Sequence, residues 1–359
     1  MAQSNKINFK GQKIYIGIDV HLKTWHVTVM TGAGFKRKHS QPASSEMLFE
    51  HLMKNYPGGE YHAIYESGFT GFSTYYELVG LGIECTIAHA ADIPTGQNES
   101  VQKTDAVDSE KLARVLKNGD LRSKVYVPHK DTLDDRGLVR HRTILQTMLS
   151  GWKSRVKHQL HSNGVKIPDC FARKSTHWSR KFMQWLKDDV VLLSSTRRTL
   201  DWQLEHVETM RKEVLAVTRE IRKLSKTEKY DGRMTLLMSV PGIGMITAIN
   251  LLVELEDMER FSGQKPFASY LGLIPTCKNS GEKKTTGEIT FRGNRRLRTM
   301  IVESSWVAIG RDRALAAAYG DFCVRMSSQK AIIRIARKLS NRIFTVLKYG
   351  VIYEYDKCE

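Results

Sequence analysis

Over the first 90 residues, apolar and polar positions alternate in short runs bounded by polar turns, the period of half-buried strands. Residues 13 to 20 (KIYIGIDV) and 25 to 31 (WHVTVMT) read as two strands, and the connection His21-Leu22-Lys23-Thr24 is short enough for a hairpin. Residues 35 to 41 extend this meander as a third strand. The period then changes: Ser44 to Tyr56 reads as a helix with Met47, Leu48, His51 and Leu52 on one face, and Tyr61 to Glu66 as a buried strand. A helix to about Val79, a strand from Glu84 to His89 and a helix opening at Asp105 follow. Three strands in a meander, then strand, helix, strand and helix, is by analogy the order of a ribonuclease-H-like α/β sheet domain, assigned to residues 1–128 and closed by Val125-Tyr126-Val127-Pro128.

Beyond Pro128 the strand period disappears. Residues 131 to 162 are almost free of helix breakers and predict one long amphipathic helix, ended by Asn163-Gly164 and Pro168. A shorter helix is predicted over Trp178 to Leu186, and a second long one over Thr196 to Leu224. In the latter Leu200, Leu204, Val207, Met210, Val214, Val217, Ile221 and Leu224 step by three or four, the spacing of a coiled coil. That seam suits either a hairpin within the chain or a partner chain. Residues 129–228 are therefore assigned as a helical coiled-coil region, although the stretch from 163 to 195 has no assigned purpose. Residues 229–359 read as a mostly helical third domain. Within it Leu236 to Ala248 has the form of a helix-hairpin-helix, whose turn glycines Gly242 and Gly244 would let backbone N–H groups approach a phosphate. A Pro-Gly turn between two core helices looks much the same.

Charge changes this picture. The chain of 359 residues carries a formal net charge of +18. Residues 1–128 hold 14 Lys and Arg against 13 Asp and Glu, residues 129–228 hold 21 against 12, and residues 229–359 hold 21 against 13. The net values of +1, +9 and +8 put the excess in the last two thirds, as expected for parts that contact a polyanion. Candidate phosphate contacts are Lys283, Lys284, Arg292, Arg295, Arg296 and Arg298, with Lys330, Arg334, Arg337 and Lys338 on one side of a terminal helix. Cys85, Cys170, Cys277, Cys323 and Cys358 are scattered without a C-x-x-C pair, which argues against a disulfide framework or a zinc site. No apolar run approaches the ~20 residues needed to span a bilayer, so a cytoplasmic, nucleoid-associated protein is expected.

In the nearly neutral first part, Asp19 ends one apolar strand and Glu66 another, and Asp105 and Asp108 stand three apart in the first turn of a helix. An acidic first turn alone is ordinary. Four carboxylates brought together would instead make an oxygen-rich site for Mg2+ or Mn2+. In the third part Ser280 precedes Gly281 in a basic, polar loop, with Thr285, Ser304 and Ser305 as rival hydroxyls. No Ser-His-Asp arrangement is readable around any of them.

The blocks IYIGIDVH, YESGFTG, KTDAVDSEKLAR, VPGIGMITA, YLGLIPTCKNSGEKKTTGEITFRGNRRLR and KAIIRIARKL resemble, in order and spacing and over nearly the whole chain, the insertion-sequence transposases with an Asp-Glu-Asp-Asp RuvC-like domain, described as bridge-RNA-guided recombinases. That resemblance implies two divalent cations on Asp19, Glu66, Asp105 and Asp108. It also implies a serine, here Ser280, that becomes transiently linked to DNA, and a structured guide RNA that pairs with donor and target DNA. A homo-oligomer on nucleic acid is expected. The family usually has a second serine before the nucleophile, where this chain has Asn279. Two other readings compete: a metal-only nuclease of the Holliday-junction-resolvase type, and a non-catalytic nucleic-acid scaffold.

Overall fold

The structure, a computed structural model, describes residues 8–94, 105–121, 123–280, 283–290 and 292–355, without the side chains of 106, 277–280 and 283–288. The chain divides into two compact units, Met1–Val127 and Pro128–Glu359.

The first unit is a five-stranded mixed sheet. Strands β1 (Lys13–Val20), β2 (Thr24–Thr31) and β3 (Lys36–Pro42) form the antiparallel meander, and β4 (Glu60–Glu66) and β5 (Glu84–Ala88) add in parallel beyond β1, giving the order β3-β2-β1-β4-β5. Because strand side chains alternate, each strand feeds two layers. Ile14, Ile16 and Ile18 of β1, with Val27, Val29, Ala63 and Tyr65, bury one face against Leu48 and Leu52 of α1 (Ser45–Asn55) and Leu78 of α2 (Ser73–Gly80). The other face takes α3 (Asp105–Asn118), whose Leu112 and Val115 pack on Ile64 and Ala88. Met47, expected on the core face of α1, is exposed instead, because the buried stripe runs through Ser45, Leu48 and Leu52.

In the second unit α4 (Lys130–Ser162) and α6 (Ser194–Leu224) form an antiparallel hairpin. Gln159 donates to the Thr196 carbonyl at one end (2.7 Å) and Arg142 to the Thr218 hydroxyl towards the other (2.7 Å). The apolar seam of α6 is thereby used within the chain, the first of the two arrangements its spacing suits: Leu200, Leu204, Val207 and Ile221 are buried. The stretch from 163 to 195 gains a purpose. Phe171, and Phe182, Met183 and Leu186 of α5 (Arg180–Asp188), fill a separate core around Leu149, Val156, Leu160, Leu200 and Leu204, sealing one end of the hairpin.

The opposite end enters the main core through Val139 and Ile221. There it packs chiefly on α8 (Met245–Leu255); the rest of the unit is α7 (Asp231–Met238), α9 (Gln264–Tyr270), a two-stranded ribbon of β6 (Pro275–Ser280) and β7 (Lys283–Ile289), α10 (Arg295–Ala308), α11 (Arg313–Arg325) and α12 (Ser328–Tyr349). Helix α12 keeps its expected faces, with Ile332, Ile335, Leu339 and Ile343 buried and Lys330, Arg334 and Lys338 exposed. Among the described residues no helix is long and apolar enough to cross a membrane.

Candidate functional site

The acidic site of the first unit is built by the approach of α3 to β1. Gly17 makes that approach possible: a Cβ there would lie 2.0 Å from the Ser109 carbonyl oxygen and 2.5 Å from the Ala113 nitrogen. Only a residue without a side chain lets helix backbone lie directly on the strand. Two polar contacts fix the register. The hydroxyls of Thr28 and Ser109 share a buried 2.8 Å hydrogen bond, and Glu110 receives both Lys36 and Lys38 of β3 at 2.6 Å. Burial acts to raise the Glu110 carboxyl, but the two lysines prevail and hold it below its ordinary value.

Strand parity then selects the residues that face α3. Gly17 and Asp19 of β1 lie on that side, as do His26 and Thr28 of β2, which pair with Asp19 and Gly17 respectively. The Ile18↔Tyr65 pairing, continued by one residue, sets Glu66 beside Asp19. Among the described residues one group has ligand atoms all within 4.8 Å of one another: Asp19, His21 and Asp105. His21 Nε2 lies 3.1 Å from Asp19 Oδ2 and 3.7 Å from Asp105 Oδ2, and His26 Nε2 lies 3.3 Å from the same Asp105 oxygen. Glu66 is exposed at its strand end outside this group. Asp108 is also outside it, yet near enough to act on Asp19. Burial pushes the Asp19 carboxyl above its ordinary value; His21 pulls it down by attraction and a hydrogen bond, while Asp105 and Asp108 push it up again.

A donor set of two carboxylates and an imidazole, gathered from β1, its following turn and α3, fits a divalent cation. A cation there would offset the burial that chiefly raises Asp19 and the lesser push from Asp105 and Asp108. Two of the four predicted carboxylates therefore meet at ligand distance. Sequence reasoning missed His21 and His26; their signals were the Asp-x-His spacing at a strand end and the position of His26 opposite Asp19 in a hairpin.

In the second unit Gly242 proves to be a packing residue. It has φ +82°, and a Cβ on it would lie 2.2 Å from the Ser304 carbonyl oxygen of α10. Gly244, by contrast, is exposed at the start of α8 with open space around it. Ser304 and Ser305 are buried in α10, and the Ser305 hydroxyl donates to the Ile301 carbonyl (2.7 Å), so neither presents a free hydroxyl at the surface. Ser280 ends β6 and pairs with Lys283, which places its backbone at the tip of the ribbon. The side chains of Ser280, Lys283, Lys284 and Thr285 lie outside the described part.

Polar contacts fix the segment between the ribbon and α10. Glu254, 2% exposed, accepts both Arg140 Nε (2.7 Å) and Arg140 Nη2 (2.8 Å), and accepts Asn294 (3.2 Å). Burial acts to raise Glu254, but Arg140 outweighs it and the carboxyl lies below its ordinary value. Asn294 also caps α10 by accepting from Leu297 N (3.1 Å). Arg298, predicted at a phosphate, donates to the Thr290 (2.6 Å) and Gly272 (3.3 Å) carbonyls and braces the ribbon base. Arg292 and Arg295 are exposed; Arg296 and Arg337 are half-buried, and burial lowers Arg337.

Residues 234–320 match the profile of the transposase IS116/IS110/IS902 family. The chain is 24% identical over 340 residues to the transposase for insertion sequence element IS1533 of Leptospira borgpetersenii, covering 92% of this chain and 95% of that protein. It is 28% identical over 290 residues to y4qE of Sinorhizobium fredii, provisionally named a transposase, covering 81% of this chain and 66% of that protein. A shorter match, 33% identical over 120 residues, is to an uncharacterized 43.6 kDa protein of insertion element IS110 of Streptomyces coelicolor, covering 33% of this chain and 30% of that protein. The chain is thus similar, over most of its length, to proteins named as transposases, and its residues 234–320 are similar to one transposase family.

Proposed function

We propose that this chain is a DNA recombinase for insertion-sequence transposition, guided by a structured RNA, with a RuvC-like metal site in residues 1–128 and a nucleophilic Ser280 in residues 229–359, linked by the helical region 129–228. The observation that carries the proposal is the convergence of Asp19 and Asp105, from a strand end and a helix start, at ligand distance in a chain whose relatives are named as transposases. The strand order β3-β2-β1-β4-β5 with a helix laid on β1 supports the RuvC-like assignment. A magnesium or manganese ion bound there would supply charge stabilisation at a scissile phosphate.

Asp19 and Asp105 hold the cation, and Glu66 and Asp108, on the α3 side, complete the carboxylate set. Ser280, at the tip of a ribbon whose base Arg298 braces, attacks the phosphorus of a DNA strand. An Oγ–P bond forms as the bond from phosphorus to the leaving oxygen breaks; Oγ gives up its proton and the leaving oxygen takes one up, so the strand departs as a hydroxyl. Lys283, Lys284, Arg292 and Arg295 steady the phosphates on either side. DNA and guide RNA lie against the basic second unit. More than one chain assembles on them, through a surface other than the α6 seam.

The test is incubation of the protein with its own element-end DNA, flanking RNA and Mg2+, followed by denaturing electrophoresis for a protein-DNA adduct. Wild type and Ser304→Ala form the adduct; Ser280→Ala binds nucleic acid and forms none. An adduct in Ser280→Ala makes another hydroxyl the nucleophile. Metal-dependent cleavage without any adduct refutes the serine chemistry in favour of a resolvase-type nuclease.

A further inference from the structure

We infer that His21 is a nitrogen ligand of the divalent-cation site, bound through Nε2 beside Asp19 and Asp105, so that this site has a mixed nitrogen and oxygen donor set and favours manganese over magnesium. The inference rests on the metal reading of the carboxylates proposed above.

His21 opens the short turn between β1 and β2, where its neighbour Leu22 is 77% exposed. Solvent is freely available to such a side chain. Its side chain, 51% exposed, nevertheless holds Nε2 at 3.1 Å from Asp19 and 3.7 Å from Asp105. For metal–donor bonds of about 2.1 Å at right angles, neighbouring donors lie about 3 Å apart, and opposite donors about 4.2 Å apart. Both separations sit between those limits, so one cation can touch all three groups after small adjustments.

His26 has a different part. Its Nδ1 is engaged by the Ser40 hydroxyl at 2.9 Å while its Nε2 faces Asp105 at 3.3 Å. Its two nitrogens are thus occupied, and it orients the Asp105 carboxylate as an outer partner orients a metal ligand. His21 Nε2 is the nitrogen that faces two carboxylates from different elements at once. Both ions take carboxylate oxygen, but magnesium surrenders its water reluctantly, whereas manganese, as a first-row transition metal, accepts an imidazole nitrogen more readily than magnesium does. A site with His21 as donor therefore separates the two ions where an all-carboxylate site would not.

The test titrates Mn2+ into the full-length protein, with loss of the free-ion electron paramagnetic resonance signal reporting binding and pulsed measurements reporting nitrogen coupling to the bound ion. Wild type is expected to bind Mn2+ with an imidazole nitrogen coupling that changes on 15N-histidine labelling. His21→Ala and His21→Gln are expected to lose the coupling and to bind Mn2+ about tenfold more weakly, with a smaller loss for Mg2+ in competition. His26→Ala is expected to keep the coupling. Manganese bound by wild type without nitrogen coupling, or coupling that survives in both His21 variants, overturns the ligand assignment and leaves the carboxylate site standing. No Mn2+ binding by wild type, or equal binding by Asp105→Asn, overturns the carboxylate site itself and the inference with it.

Discussion

Replacing Gly17 by alanine tests whether the close approach of α3 builds the acidic site. The added methyl would lie 2.0 Å from the Ser109 carbonyl oxygen and 2.5 Å from the Ala113 nitrogen, both backbone atoms that no rotamer change can move. Ordinary contact needs about 3.4 Å or more, so α3 must retreat by roughly 1 to 1.5 Å. Overpacking of this kind costs about 1–3 kcal/mol, and stretching the buried 2.8 Å Thr28–Ser109 hydrogen bond adds about 1 kcal/mol. Relief of glycine's entropy in a strand returns about 0.5–1 kcal/mol, leaving a net loss of about 1–3 kcal/mol. The same retreat carries Asp105 away from Asp19, so Mn2+ affinity is expected to fall at least about tenfold. Trp25 is the one tryptophan among residues 1–127, so a fluorinated tryptophan resonance there reports urea unfolding of this unit alone. Gly80→Ala, with nothing within 4 Å of the added methyl, serves as the control. If Gly17→Ala unfolds within 0.5 kcal/mol of wild type and binds Mn2+ as well, the helix approach does not build the site.

Gly242→Ala combines a left-handed backbone with a methyl 2.2 Å from the Ser304 carbonyl, and should cost about 2–4 kcal/mol, read as faster amide hydrogen exchange across α7, α8 and α10. Arg140→Ala leaves the 2%-exposed Glu254 carboxylate hydrogen-bonded to Asn294 and should lower stability by about 2–4 kcal/mol in urea titrations; Arg140→Met combined with Glu254→Met should regain part of that loss. Acid should weaken the first unit through His51, which stacks on His39 with ring centroids 4.0 Å apart and is brought down to about 4 by burial, then by His39, Arg37 and Lys54. Its folded value lies below the ordinary 6.5, so its contribution is complete above pH 6.5 and is lost as pH falls towards 4. The loss, discounted for partial screening, is about 1–2 kcal/mol, and His51→Gln should flatten it in thermal melts at pH 7 and pH 4.5.

Much of this molecule is legible along the chain because the governing forces are local. Alternation in Ile14, Ile16 and Ile18 specifies a strand with one buried face, and the three-to-four spacing of Leu200, Leu204 and Val207 specifies a long apolar helix stripe. The carboxylates were legible too, since strand ends and helix first turns are identifiable from neighbouring residues. What the stripe of α6 packs on was not legible: its spacing suits any apolar partner, and only the antiparallel return of the chain after Ser194 assigns it to α4. The turn between α7 and α8 shows the same limit. Pro241-Gly242 reads as a turn in any context, and whether its glycine meets a phosphate or a helix carbonyl depends on Ser304, more than 60 residues away. At the acidic site, Asp19 and Asp105 are 86 positions apart, and the sheet order together with a side-chain-free Gly17 brings them together. His21 joined them for a reason no periodicity encodes, the direction of one ring at a turn, which is set by the charges it meets in space.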